Sequence, residues 1–341
     1  MNLKLTTLAA AALLFASALP AFAQSQAKAQ NVPEIPYKVV PNFIKMPTGT
    51  YLGEGIGVAT NSKGHVFVYT RSERTRLFEF DQTGKFVREI GENLFGFAFA
   101  HAVRVDKYDN IWAVDEGTNM IVKFNPEGRV IMVLGHRPDQ LDGVPVTPAF
   151  GTPAPPAQKY TFSRQTDVGW DAQDNIFVTD GYGNSRVVKY DKNGKFIKET
   201  GSRGSGPGQL NTPHTMAMDA AGNVYVGDRG NARIQVFDND LTLKTQYDQV
   251  GNPWAVCISQ GPHQYLFSSN SAPDNNNAEI WAHTGEIYKM ELDGKILGKF
   301  GKSGKDVGKF STIHELDCRS PTELYSAEIT SWRVQKIQLE K

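Results

Sequence analysis

The sequence predicts an all-β protein, a six-bladed β-propeller, and three observations predict it. A unit of about 40 residues or more recurs six times, the mark of an architecture built from blades. Within a unit, alternating apolar runs are separated by polar turns such as Asp-Asn or Gly-Asn, which is the period of strands and not of helices. The last unit holds only three strands, and "YKVVPNFIKM", from Tyr37 to Met46, can supply the fourth. Closing the ring in that way removes exposed sheet edges.

The elements follow in order. Residues 1–23 read as a secretory signal peptide: Lys4 precedes an apolar stretch, Leu8 to Leu19, too short to span a bilayer, and Ala21-Phe22-Ala23 has the form of a cleavage site. A secreted or periplasmic protein is expected. Residues 24–36 read as a flexible lead-in, and the propeller occupies 37–341. Unit one runs from Ile56, "IGVATNSKGHVFVYTRSERTRLFEFDQTGKFVREIG", and unit two from His101, "HAVRVDKYDNIWAVDEGTNMIVKFNPEGRVIMVLG". Unit three starts at Thr166 and unit four carries "NTPHTMAMDAAGNVYVGDRGNARIQVFD". Unit five starts near Trp254 and holds an insertion, "SNSAPDNNNAEIWAHTGE"; unit six starts at His314. Each turns from strand to strand as a meander.

Composition excludes several functions. Lys plus Arg number 36, as do Asp plus Glu, so no global field points to nucleic acid or an anionic membrane. No later segment is apolar enough to span a membrane. Cys257 and Cys318 are the only cysteines, too few for a disulfide framework or a Cys-x-x-Cys zinc site. They fall at different offsets in their units, so two unpaired thiols are expected. The chain is expected to act as a monomer.

The start of the second strand is a ruler common to the units: Val66, Ile111, Ile176, Val224 and Leu324. Ten residues back stand Ile56, His101, Thr166, His214 and His314, with Trp254 the nearest match in unit five. Three of the seven histidines therefore share one phase, in units two, four and six. The first strand of a blade lines the central channel, so equivalent positions in alternate blades lie about 120° apart around it. Alone, each histidine reads as a satisfied polar residue near a channel mouth. Together, His101, His214 and His314 point to three imidazoles on one metal with an open fourth position, the form of a catalytic zinc site. His65, His136, His263 and His283 lack the phase and read as surface or loop residues.

Fifteen residues past the phase origin stand Arg71 in unit one and Arg229 in unit four, suited to an anionic group. One residue further in unit three, within "DGYGNSR", stands Tyr182, a phenol whose pKa a nearby cation would lower towards that of a general base. Asp115, Asp180, Asp228 and Glu328 recur at the preceding phase and read as structural turn acids.

With these residues in view, "AHAVRVD", "SRQTDVGWDAQDNIFVTDGYGNSRVVKY", "GDRGNARIQVF" and "IHELD" resemble the peptidyl-α-hydroxyglycine α-amidating lyase family, propellers of NHL-type repeats. The resemblance runs from about Leu52 to Ile337. It implies zinc on His101, His214 and His314, Tyr182 as the base for a substrate hydroxyl, and Arg71 and Arg229 as partners of negative charge. It implies a calcium ion held by the carbonyls of Val58 and Val103 and the carboxylate of Glu315. The activity implied is cleavage of a carbinolamide, on a small molecule or peptide bearing a carboxylate, to an amide and glyoxylate. Glu315 stands where the family has aspartate, and Ser163 and Gly183 where it has cysteines. The copper monooxygenase half has no counterpart in the sequence, so the hydroxyglycine substrate is expected from elsewhere. Two other readings are a metal-dependent propeller hydrolase or lactonase, and a non-catalytic NHL binding module.

Overall fold

Alternation sets the strands and aspartates set the turns between them. In "DKYDN", the Asp106 carboxylate accepts the N–H groups of Tyr108 and Asn110 at 2.9 and 3.0 Å, while Asp109 takes a left-handed φ of +63°. Asp171 repeats this with Gln173 and Asn175, both at 2.9 Å. A short acidic side chain that bonds its own backbone tolerates that conformation and reverses the chain. The computed structural model describes residues 26–137, 157–272 and 282–340. The signal peptide read over 1–23 lies outside these residues, as does the middle of the insertion in unit five.

Among the described residues the strands form six antiparallel four-stranded sheets. Five sheets run in chain order from inner to outer strand, and the sixth closes the ring. There Tyr37–Val40 lies beside Arg333–Leu339, with Tyr37 opposite Leu339 and Val40 opposite Lys336. The closing strand is shorter than its sequence suggests. Pro41 has no N–H to give and Asn42 has a φ of +49°, so the chain leaves blade six. It then crosses to blade one, where the Lys45 N–H donates to Gly84 O at 2.8 Å and Phe43 is buried.

The inner strands are Glu54–Thr60, Ala100–Val105, Asp167–Trp170, Pro213–Met218, Pro253–Ile258 and Ile313–Asp317. The core is a set of layers between neighbouring blades. Phe67, Tyr69 and Leu77 of blade one, for example, meet Val103, Ile111, Val122 and Phe124 of blade two. Each such burial is worth roughly 1.5–3 kcal/mol.

Two expectations are corrected here. The stretch read as a flexible lead-in lies over the seam between blades four and five from residue 27 onward, and then along the outer strand of blade five. Ala27 is buried, the Ala29 N–H donates to Gln249 O at 3.0 Å, and the Ile35 N–H donates to Lys299 O at 2.7 Å. Its alanines, Val32 and Ile35 supply just enough apolar surface to dock. Cys257 and Cys318 form a disulfide, with Cα atoms 6.0 Å apart. Their offsets do differ by one, which turns them to opposite faces of their own sheets. Adjacent blades stack face to face, however, so opposite parity is what makes the two side chains meet between blades five and six.

Candidate metal centre

Each histidine sits in a β-bulge. The pairing of inner to second strand shifts register between Ala100 and Ala102, Pro213 and Thr215, and Ile313 and Glu315, leaving His101, His214 and His314 as the extra residues. A bulge re-aims its side chain out of the pleat, here into the channel. Ile56 occupies the equivalent bulge of blade one, and Trp254 lies in that of blade five.

The three rings converge. Every pair of ring centroids is 4.7 Å apart. One nitrogen from each ring lies within 4.8 Å of the others. The residues are 1, 1 and 4 % exposed, so the gap between them is closed off from bulk solvent. The outward nitrogens are fixed: His101 Nδ1 donates to Thr166 O at 2.6 Å, His214 Nδ1 to Trp254 O at 2.6 Å, and His314 Nδ1 to Ile56 O at 3.0 Å. The acceptors are the phase-origin residues of the odd blades, so all six origins belong to the centre. Nδ1–H bonds to carbonyls leave each Nε2 as an inward lone pair, the tautomer a metal ligand needs. His214 Nε2 is buried with no hydrogen-bond partner, an orphan that an ion would satisfy. Burial, first of all, holds the three imidazolium pKa values well below 6.5; the neighbouring histidines and Arg71 and Arg229 add to this. The rings are therefore neutral at pH 7. Three neutral imidazoles in a closed pocket fit a divalent transition metal such as zinc.

Tyr182 stands over this group, its hydroxyl 3.3 Å from His101 Nε2. Its loop packs Gly183 on Ser163, with Gly183 N–H donating to Ser163 O at 2.9 Å and Tyr182 N–H to Arg164 O at 3.2 Å. A Cβ at Gly183 would collide with the Ser163 side chain, so only glycine permits this approach. Two places that carry cysteines in the resembling family are thus adjacent here, held by backbone hydrogen bonds. The expectation that nearby cations lower the phenol's pKa is corrected here: burial, the largest influence, and Glu116 raise it above the ordinary 10.0 although Arg229, Arg71 and Arg164 pull it down.

The arginines divide into two kinds. Arg71 is compensated: its Nε donates to Glu54 at 2.9 Å, its Nη1 to Ala100 O at 3.3 Å, and Glu116 lies 3.9 Å away. Arg229 has no carboxylate partner among the described residues. Its guanidinium rests 4.3 Å from the Trp254 ring and 5.4 Å from the Tyr182 ring. Two residues at the site escape the sequence reading. Glu116, 3 % exposed, places Oε2 3.9 Å from His101 Nε2, and its Oε1 accepts from Arg164 at 3.0 Å. Arg164 in turn covers the Tyr182 ring at 4.6 Å. Glu116 stands at the same fifteen-residue offset as Arg71 and Arg229, so the ruler could have found it. Nothing in the spacing marks Arg164.

The turn acids are structural. Asp115 accepts the N–H groups of Ala98, Phe99 and Thr118; Asp180 holds Arg186, Asp228 holds Arg233, and Glu328 holds Arg333. The residues implied for calcium come together around the Glu315 carboxylate, which already meets other partners. Glu315 Oε2 accepts the N–H groups of Val58 and Val103 at 3.1 and 3.2 Å, and the Arg104 guanidinium lies 3.1 Å from Oε1. Calcium requires six to eight oxygens around it; this carboxylate faces a cation and two N–H donors, while its buried Oε1 makes no hydrogen bond.

Residues 210–237 match the model for the NHL repeat. Peptidyl-glycine alpha-amidating monooxygenase B of Xenopus laevis is 30 % identical over 229 residues, 62 % of this chain and 24 % of that protein. The chain thus spans about a quarter of that relative's length. NHL repeat-containing protein 3 of Mus musculus is 30 % identical over 309 residues, 84 % of this chain and 80 % of that protein. Peptidyl-alpha-hydroxyglycine alpha-amidating lyase 1 of Drosophila melanogaster is 25 % identical over 270 residues, 74 % of this chain and 47 % of that protein.

Proposed function

We propose that this chain, which belongs to the NHL-repeat six-bladed propellers related to the amidating lyases, is a zinc-dependent lyase that cleaves an α-hydroxyglycine-type carbinolamide to an amide and glyoxylate. The observation that carries the reading is the buried triad: three Nδ1–H groups tied to carbonyls, and three Nε2 atoms facing one another. His101, His214 and His314 would hold the ion, which when bound supplies Lewis acidity towards a substrate oxygen.

The remaining roles fall to side chains around it. Arg229, cationic and without a carboxylate of its own, receives the substrate carboxylate, with Trp254 fixing the plane of its guanidinium. Tyr182, in its phenolate form, accepts the proton of the substrate hydroxyl at its phenolic oxygen, beside the histidines. The carbinol oxygen then becomes the aldehyde oxygen of glyoxylate, the C–N bond breaks, and the nitrogen leaves with the electron pair and takes back the proton held by Tyr182, which restores the phenolate. Arg71 acts at longer range, since Glu54 and Glu116 share its charge.

The protein works in an oxidising compartment, which the disulfide supports and the leader-like residues 1–23 lead one to expect. The test is glyoxylate release from α-hydroxyhippurate by the purified, zinc-loaded protein. No release from this or from peptidyl-α-hydroxyglycine substrates removes the lyase reading.

A further inference from the structure

We infer that Arg104 is a built-in cation in the channel, standing in for the calcium ion that the resemblance implies and holding in register the three strands that carry the histidines. Arg104 lies three residues after His101 on the inner strand of blade two. Its guanidinium grips Asp167 of blade three with both arms, Nε to Oδ1 at 2.9 Å and Nη2 to Oδ2 at 2.6 Å. It also lies 3.1 Å from Glu315 Oε1 and donates to Leu316 O at 3.3 Å, both on the strand of His314. On the strand of His214 it reaches Thr215 Oγ1 at 3.4 Å.

The carboxylates spread the grip further. Asp167 Oδ2 accepts from Thr215 Oγ1 at 3.0 Å and from the Met216 N–H at 2.9 Å. Glu315 Oε2 takes the N–H groups of Val58 and Val103. Thr215 Oγ1 accepts the Val256 N–H of blade five at 3.3 Å. Every inner strand of the ring thus has a member in one network around one guanidinium. Asp167 and Glu315 are 1 and 3 % exposed, and two buried carboxylates that share one guanidinium need its charge. Gly57 makes room for the longer glutamate: a Cβ there would lie 2.7 Å from Glu315 Oε2. The guanidinium already supplies the positive charge that these carboxylates need, so this chain does not call for calcium.

The experiment follows thermal unfolding and zinc affinity of the full-length protein in EGTA and in millimolar calcium. For the natural chain, neither should move with calcium; a bound ion would raise Tm by several degrees through linkage. Arg104→Ser bares the carboxylates and should lower Tm by roughly 6–10 °C and weaken zinc binding about 10- to 100-fold. Calcium should restore both, a rescue that loss of a merely structural side chain would not show. Arg104→Lys keeps the charge and loses the fork, and should give a smaller Tm loss without calcium rescue. This variant and the natural chain decide the matter if Arg104→Ser does not fold. Stabilisation of the natural chain by calcium, an unaltered Tm in Arg104→Ser, or a destabilised Arg104→Ser that calcium does not rescue would each overturn the inference. The zinc arm rests on the metal reading above. If the natural chain binds no zinc, that reading fails while the calcium arm still decides this one.

Discussion

Replacing Tyr182 by phenylalanine separates chemistry from architecture at this site. The substitution removes one oxygen, the atom 3.3 Å from His101 Nε2. It keeps the ring that lies between Arg164, at 4.6 Å, and Arg229, at 5.4 Å. Among the described residues no other hydrogen bond of the phenolic oxygen ties the loop, which is held by its backbone bonds to Ser163 and Arg164. Stability should therefore change by no more than about 0.5 kcal/mol, and zinc content should stay the same. The carboxylate contact assigned to Arg229 is untouched, so KM should change little. Turnover should fall on the order of 10²-fold or more, because the proton acceptor assigned to the substrate hydroxyl is gone. That loss corresponds to about 2.7 kcal/mol of barrier. The assay is glyoxylate release from α-hydroxyhippurate, run beside a melting curve and a zinc determination. A variant that turns over within a few-fold of the natural protein, with zinc in place, refutes Tyr182 as the base.

Three further outcomes are expected. Thiol titration of the denatured, unreduced protein should find no free thiol. Replacing Cys257 and Cys318 by serine should cost up to about 4 kcal/mol for a closed loop of 61 residues, seen as a lower Tm, whereas an unchanged Tm would remove the disulfide from the account of stability. In metal-free protein the three histidines have folded pKa values depressed below the ordinary 6.5. The unfolded chain therefore binds protons that the native one refuses. Stability from these groups is full above about pH 6.5 and is lost as pH falls towards the depressed values, so a Tm flat from pH 7 to 5 would contradict their burial as neutral rings. Arg229→Ala should raise KM for a carboxylate-bearing substrate and leave zinc bound; an unchanged KM would move carboxylate recognition elsewhere.

Much of this was legible in the sequence because a closed repeat turns offset into place. The ruler that located His101, His214 and His314 also named Ile56, Thr166 and Trp254, whose carbonyls fix the rings. It placed Arg229 and Tyr182 at one mouth, and it sorted the recurring Asp115, Asp180 and Asp228 into turns. What spacing alone did not carry was contact between elements. Cys257 and Cys318 pair because neighbouring sheets face each other, which reverses the argument from strand parity. Spacing is no better a guide to buried charge: Arg104 looks like one more alternating residue of "AHAVRVD" until the fold brings Asp167 and Glu315 to it. Ala27 and Val32 dock at the seam of blades four and five although their stretch has no strand pattern.

The central claim is that the three histidines form a metal centre, and metal analysis of the purified protein tests it most directly. The account predicts zinc near one per chain in the natural protein, and its loss from His214→Ala while the propeller remains folded by circular dichroism. A natural protein free of transition metal after zinc loading, or a His214→Ala variant with undiminished zinc, would contradict it.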